Sequence, residues 1–218
     1  MVKYDLSFYF ISLNFLSYKI LDENNREILC FATLNYPFVK ITVISDTHLK
    51  PSQSIEMLPM PLLNMLASSD MIVHAGDFVT LQCYNELKDI NPLVAVAGNM
   101  DSPELRQILP EHTTFDADGI RIGVTHQGQL SVTDMTGLGY FARELKVDLL
   151  IFGHIHRPKI HKSGEITLLC PGSPTSPRQS EPSAAEVTIE EGGVEAVIVN
   201  FKGKVCDSIQ FARSLVED

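Results

Sequence analysis

Five short apolar runs in this chain each stop on a residue able to bind a metal ion, and no other feature restricts the fold as much. Residues 40–45 (KITVIS) run into Asp46, 71–75 into Gly76-Asp77, 92–97 into Gly98-Asn99, 120–125 into His126, and 147–152 into Gly153-His154. The runs are rich in β-branched residues and bounded by turn residues, so each reads as a buried strand. Asp46, Asp77, Asn99, His126 and His154 follow one another at intervals of 31, 22, 27 and 28 residues. Each interval is close to the roughly 30 residues of one strand–helix–strand step. Helix signals fill the gaps. Residues 55–68 have helical spacing at Leu58, Leu62, Leu63 and Leu66, with Pro59 and Pro61 confining the helix to the later part. Residues 81–89 form a short helix. Ser102 caps another, with Pro103 in its first turn. Residues 131–146 are expected to be the longest helix.

The chain then changes character. Residues 159–161, 166–170, 185–190 and 194–201 read as strands, with Glu191-Gly192-Gly193 as the hairpin turn between the last two. A βαβαβ half followed by a mostly β half fits one α/β domain built on two packed sheets better than a single doubly wound sheet. At 218 residues the chain is long enough to bury a core without disulfides. Residues 1–38 stand apart. They are rich in aromatics (Phe8, Tyr9, Phe10, Phe15, Tyr18), hold no glycine and show no regular apolar period. They read as an N-terminal extension of uncertain structure: an added packed element, a loose tail, an overextended gene start, or an arm for a partner or membrane. The working domain is placed at 39–218. No candidate ligand precedes Asp46, so the extension is expected to be dispensable for chemistry.

Charge and cysteine usage exclude several classes. Lys and Arg number 17 against 27 Asp and Glu, a net charge of −10. Binding of nucleic acid by bulk charge is therefore not expected. No run of 18 apolar residues exists to span a membrane. The apolar stretch at 8–16 follows Asp5, has only Lys3 as a basic residue, and lacks a small-residue cleavage site, so no signal peptide is expected. Cys30, Cys83, Cys170 and Cys206 are scattered without C-x-x-C spacing. That usage fits reduced thiols and a cytoplasmic location.

The strand ends gather Asp46-x-His48, Asp77, Asn99, His126 and His154-x-His156. In α/β sheets, ligands bind outside the carboxyl ends of strands, so these loops are expected on one rim. Singly, each motif is ordinary: Asp-x-His is commonly a turn beside a surface histidine, and Gly-Asp and Gly-Asn are common turn pairs. The ordered set is far more specific. Imidazole and carboxylate suit zinc, manganese and iron. Seven donors exceed the four of one tetrahedral ion and suit two ions about 3.5–4 Å apart. One carboxylate must then bridge, and the central Asp77 is the natural candidate. Two divalent ions would leave the site net positive inside an acidic protein, which favours a phosphate ester. Of the other histidines, His74 lies within a strand as a core or supporting residue, and His112 and His161 read as surface residues. Asp101 reads as a turn or cap residue. There is no G-x-S-x-G, P-loop or G-x-G-x-x-G.

The order D-x-H, G-D, G-N, H, G-H-x-H resembles the calcineurin-like metallophosphoesterase superfamily. Within it the chain is similar to the small phosphodiesterase branch that also contains the retromer scaffold subunit. The resemblance runs from about residue 40 to 201 and includes the Pro171-Gly172-Ser173…Pro177-Arg178 loop. It implies a two-sheet β-sandwich flanked by helices. It implies that Asp46, His48 and His156 hold one divalent ion, that Asn99, His126 and His154 hold a second, and that Asp77 bridges. The ions would be manganese, nickel, cobalt, zinc or iron. Three neighbouring positions depart from the family pattern. Leu49 and Gln127 stand where glycines are common and are expected to narrow the pocket, and Cys170 replaces an asparagine common before P-G-S. In many relatives a histidine follows the asparagine of G-N; here it is Met100.

The resulting expectation is a dinuclear metal-dependent phosphodiesterase acting on a small phosphodiester through a hydroxide held between the metals. Asp77, Asn99 and His126 are the catalytic candidates, and Arg178 either anchors a substrate phosphate or fixes its loop. The alternatives are a non-catalytic scaffold like the retromer subunit, and a phosphomonoesterase. A homo-oligomer is left open.

Overall fold

The computed structural model describes residues 9–12, 15–21, 27–33, 38–127 and 134–202. Two mixed sheets pack face to face, with helices on the outer face of each. The five-stranded sheet contains β4 (Val39–Ile44), β5 (Met71–His74), β6 (Leu93–Ala95), β12 (Ser183–Glu190) and β13 (Gly193–Asn200), in the order β13-β12-β4-β5-β6. The eight-stranded sheet contains β1 (Tyr9–Ser12), β2 (Phe15–Leu21), β3 (Glu27–Thr33), β7 (His112–Ala117), β8 (Ile120–Thr125), β9 (Leu149–Phe152), β10 (Lys159–Ser163) and β11 (Ile166–Cys170). Its order is β1-β2-β3-β7-β8-β9-β11-β10. Helices α1 (Met60–Ser68), α2 (Leu81–Ile90) and α3 (Pro103–Ile108) follow β4, β5 and β6, and α4 (Thr136–Leu145) precedes β9.

Alternation along the strands produces the layers. In β4, Val39, Ile41 and Val43 face the space between the sheets, where they join Val73, Ile122, Val124, Ile151 and Val187. Ile44 faces the other way, into a cluster with Leu62 and Leu66 of α1 and Leu87 of α2. A third cluster joins Leu138 and Ala142 of α4 to Leu150 and Phe152 of β9. Period-2 side chains thus give a two-sided sheet that helices must cover.

Local chemistry sets the element ends. Pro59 and Pro61 fall at the N-cap and in the first turn of α1, where a missing N–H costs nothing. Thr80 caps α2 and Ser102 caps α3 through side-chain oxygens. Lys146 ends α4 in the left-handed region, at φ 55°. Residues 128–133, where the expected longest helix would begin, lie outside the described residues; within them α4 is ten residues long, the same as α2. The last two strands close through Glu191 and Gly192, both with positive φ, as the Glu-Gly-Gly sequence requires.

Strand β7 has no counterpart in the sequence reading. Its sequence HTTFDA is polar, yet it pairs along its whole length with β8 through a turn at Asp118-Gly119, both at positive φ. Residues 9–33 hold three antiparallel strands that extend the larger sheet, β3 running parallel to β7 through Cys30↔Asp116 and Phe31↔Ala117.

Parallel pairing fixes where function gathers. β4, β5 and β6 run parallel, so their carboxyl ends share one edge. β8 and β9 are also parallel. Ile122 is fully buried between the two sheets. Replacing it with alanine leaves a cavity in the layer that holds the sheets together, so Ile122→Ala is expected to lose about 2–5 kcal/mol in urea unfolding. A loss under 1 kcal/mol would show that the sheets are not tightly packed there.

Candidate metal centre

Five of the loops that leave this edge carry a candidate donor, and in three of them the chain is bent sharply to present it. Asp46, His48, Asp77, His154 and His156 have φ of 55°, 44°, 62°, 76° and 55°. Left-handed backbone at five non-glycine residues is costly and concentrates at functional sites. Backbone hydrogen bonds hold the bends: Asp46 N–H to Gly76 O at 2.9 Å and His48 N–H to Asp77 O at 3.1 Å. The glycines before the donors make room for them. A Cβ on Gly98 would strike the backbone nitrogen and carboxylate of Asp77, and one on Gly76 would come within 2.7 Å of His126 Nδ1. A Cβ on Gly153 would lie 2.9 Å from the same nitrogen.

All seven donors predicted from sequence meet. Asp46, His48, Asp77 and His156 offer donor atoms within 4.8 Å of one another. His156 Nε2 lies 3.2 Å and His48 Nε2 3.8 Å from Asp46 Oδ1, and the two imidazole nitrogens are 3.2 Å apart. On the other side, Asn99 Oδ1 lies 3.1 Å from His126 Nε2 and 2.9 Å from His154 Nδ1. Asp77 Oδ2 stands between the halves, 3.5 Å from His48 Nε2 and 3.3 Å from His126 Nε2.

Backbone carbonyls orient these groups. His126 Nδ1 donates to Ala75 O at 2.7 Å and His156 Nδ1 to Ser176 O at 2.6 Å, so both Nε2 lone pairs face the cluster. Asp46 Oδ2 accepts from Ser45 Oγ–H and His154 N–H, whereas Oδ1 is buried without a hydrogen-bond partner. An orphaned buried carboxylate oxygen facing imidazole lone pairs is the arrangement a cation completes. The donor set fits a divalent transition metal.

Electrostatics agree with two ionised carboxylates. Burial opposes the charge on Asp46, but without a cation a proton carried on Nε2 of the adjoining His156 and His48 outweighs it and holds the carboxyl well below its usual range, the place a bound cation would take. Asp77 is also lowered, against burial, by His126 and the Met100 N–H. Burial pushes His74 down to about 3, so it is neutral. It accepts from Gly76 N–H and bonds Thr47 Oγ1, supporting the turn as a core residue. Burial raises the Cys83 thiol to about 12 and raises Cys170 as well, so neither supplies a thiolate nucleophile.

Two supporting residues carried little signal in the sequence. Ser173 Oγ donates to Asp46 O and accepts from the N–H groups of Thr175 and Ser176, tying the Pro-Gly-Ser loop to the first donor. The Asp101 carboxylate accepts from Gly98, Val79 and Asp77 N–H groups, clamping the Gly-Asp and Gly-Asn turns together. Burial raises its pKa. This is the cap role expected of it, though its extent needed three-dimensional contacts. His112 and His161 are exposed, as expected. Arg178 is exposed; its N–H donates to His156 O, and its charge adds to burial and His126 in lowering His154.

One expectation is corrected. Leu49 does not narrow the pocket: it is 2% exposed and packs with Ile44 and Leu58 in the core under the helices. The left-handed His48 turns the chain so that the next side chain points inward. Gln127 does line a cavity of about 540 Å³ beside Asn99 and His154.

The crowding at Gly98 makes a specific prediction. Gly98→Ala should displace Asp77 and weaken metal binding about tenfold or more, the range for lost support of a ligand. Metal titration by calorimetry checks this. Unchanged affinity would mean that the Gly-Asn turn does not position Asp77.

Comparison with known proteins agrees with this geometry. The calcineurin-like phosphoesterase superfamily domain matches residues 39–192. A probable metallophosphoesterase of Methanothermobacter thermautotrophicus is 35% identical over 173 residues, covering 79% of this chain and 99% of that protein. A phosphodiesterase of Methanocaldococcus jannaschii is 23% identical over 62% of this chain and 83% of its own length. In fold, the chain is similar to Vps29 from Entamoeba histolytica complexed with zinc, at a TM-score of 0.59 and 24% identity, covering 75% of this chain and all of that one. With the domain matched over most of its length and the donors gathered at its strand ends, this chain belongs to the calcineurin-like phosphoesterase superfamily.

Proposed function

We propose that the chain is a dinuclear metal-dependent phosphodiesterase acting on a small phosphodiester. The observation that carries this reading is Asp77, whose Oδ2 lies within 3.5 Å of histidines in both halves of the donor cluster. One group of donors is Asp46, His48 and His156; the other is Asn99, His126 and His154; Asp77 is shared. Bound divalent ions supply Lewis-acid charge and lower the pKa of water between them. Manganese, nickel, cobalt, zinc and iron all suit these donors.

The chain's own residues do the rest. Asp46 and Asp77 stay ionised. His126 and His156, with Nδ1 committed to backbone carbonyls, present Nε2 inward in a fixed orientation. Asn99 contributes a neutral oxygen, which leaves the site net positive once two divalent ions are bound. Arg178, exposed and acting electrostatically on His154, would either meet a substrate phosphate oxygen or fix its loop. The buried Cys83 and Cys170 fit a reducing, cytoplasmic setting. Among the described residues no helix is long and apolar enough to cross a membrane. A non-catalytic scaffold would not need seven donors, and all seven are present.

Chelation should abolish hydrolysis of an aryl phosphodiester, and manganese, nickel or cobalt should restore it. Asp77→Asn should lower kcat at least about 10³-fold even with metal in excess, roughly 4 kcal/mol of barrier. Full activity after verified metal removal would refute the metal-dependent reading, and near-normal turnover in Asp77→Asn would refute the bridging role.

Met100 bears on the kind of ester. Its N–H donates to Asp77 Oδ1 at 2.7 Å, while its side chain is 56% exposed and has no proton to give a leaving group. General-acid assistance is worth about 10²–10⁴-fold, and poor leaving groups need it most. Nitrophenolate needs little such help, and a monoester dianion brings an extra charge to be neutralised at the site. The wild type should therefore show higher kcat/KM on a nitrophenyl diester than on the matching monoester, and weak action on alkyl monoesters. Preference for the monoester would refute the substrate class.

A further inference from the structure

The cavity beside the second donor group offers more than access. Asn99, His126 and His154 line it together with Arg106, Leu109 and Glu111. Its volume of about 540 Å³ falls within the range of small-molecule sites. A substituent on an ester held at Asn99 and His154 would extend into this space.

Arg106 is held there. Its Nε donates to Asp101 O at 2.9 Å, and Asp101 in turn holds the N–H groups of Gly98, Val79 and Asp77. Arg106 sits on α3, fixed by the Ser102 cap and by Leu105, which is fully buried. Ala97 N–H donates to Pro110 O at 2.8 Å and ties the loop carrying Leu109 and Glu111 to the donor edge. Among the described residues the Arg106 guanidinium makes no ion pair, although Glu111 lines the same cavity. Its terminal nitrogens remain available for a planar anion, which a guanidinium binds in bidentate fashion.

Resting on the phosphodiesterase reading, we propose that this cavity is a subsite for a second anionic group on the substrate, a carboxylate or a phosphate, with Arg106 as the specificity residue. Leu109 supplies apolar surface for the linking carbons. Gln127 adds a neutral polar group. Glu111 opposes the anion, so its charge limits affinity.

The test uses metal-loaded protein and three nitrophenyl phosphodiesters whose second alcohol carries a propyl, a carboxyethyl or a phosphopropyl arm. Wild type should favour an anionic arm over propyl by about tenfold or more in kcat/KM, chiefly through KM, as expected of a hydrogen-bonded charge pair. The better of the two anionic arms identifies the group. Arg106→Gln should collapse that ratio toward one, Arg106→Lys should keep part of it, and Glu111→Gln should increase it. Equal treatment of all three arms by wild type would overturn the proposal. So would an unchanged ratio in Arg106→Gln with kcat lowered on every ester, because Arg106 would then only brace Asp101. If no diester is hydrolysed, the phosphodiesterase reading fails separately. Calorimetric titration with phosphonate analogues bearing the same arms then decides the subsite: about tenfold tighter binding of an anionic arm by wild type than by Arg106→Gln supports it, and equal binding overturns it.

Discussion

Two buried carboxylates, Asp46 and Asp77, stand at the ends of adjacent parallel strands, and the surrounding structure is arranged to keep them charged there. Burying an ionised carboxylate is costly unless it is paired. Here the opposing groups are imidazoles, and Asp46 Oδ1 has no hydrogen-bond partner. A divalent cation resolves both facts, since it compensates the carboxylates and accepts the imidazole lone pairs. The left-handed backbone at five donor residues is sustained by the same loop-to-loop bonds that bring the donors together. Ser173 and Asp101 extend this support, the first holding the Asp46 backbone and the second the turns that present Asp77 and Asn99.

The seven candidate donors are legible in the sequence because they gather at five strand ends, three of them directly after a glycine. That local pattern is simple, and parallel pairing converts it into proximity. The glycines are legible for a physical reason too: at Gly76, Gly98 and Gly153 the space for a Cβ is taken by Asp77, His126 or Ser45. The two-sheet architecture followed from the switch between βα steps and successive strands. What escaped the sequence depended on distant contacts. Strand β7 is polar, and its strand character comes from pairing with β8. Leu49 beside a ligand suggested a pocket wall, but the reversal at His48 sends it into the core. The three N–H groups that Asp101 receives come from Gly98, Val79 and Asp77, a clamp that spans two strand ends.

Net charge and site charge have opposite signs in this account. The chain carries −10 overall, a field that repels anionic esters at long range. Attraction would then have to be local, from the proposed metal ions and from Arg106, which lines the cavity at His154, and Arg178, whose charge acts on His154. Such a division favours a substrate small enough to enter the edge cavity over an extended polyanion, and it matches the absence of any basic run. The low His74 pKa and the raised thiol pKa values keep His74, Cys83 and Cys170 uncharged.

The central claim is that Asp77 joins two metal sites, and anomalous diffraction from manganese-loaded crystals tests it most directly. The account predicts two anomalous peaks per chain, about 3.5–4 Å apart, with the Asp77 carboxylate between them, Asp46 on one and Asn99 on the other. A single peak at full metal loading, or two peaks that Asp77 does not link, would contradict it.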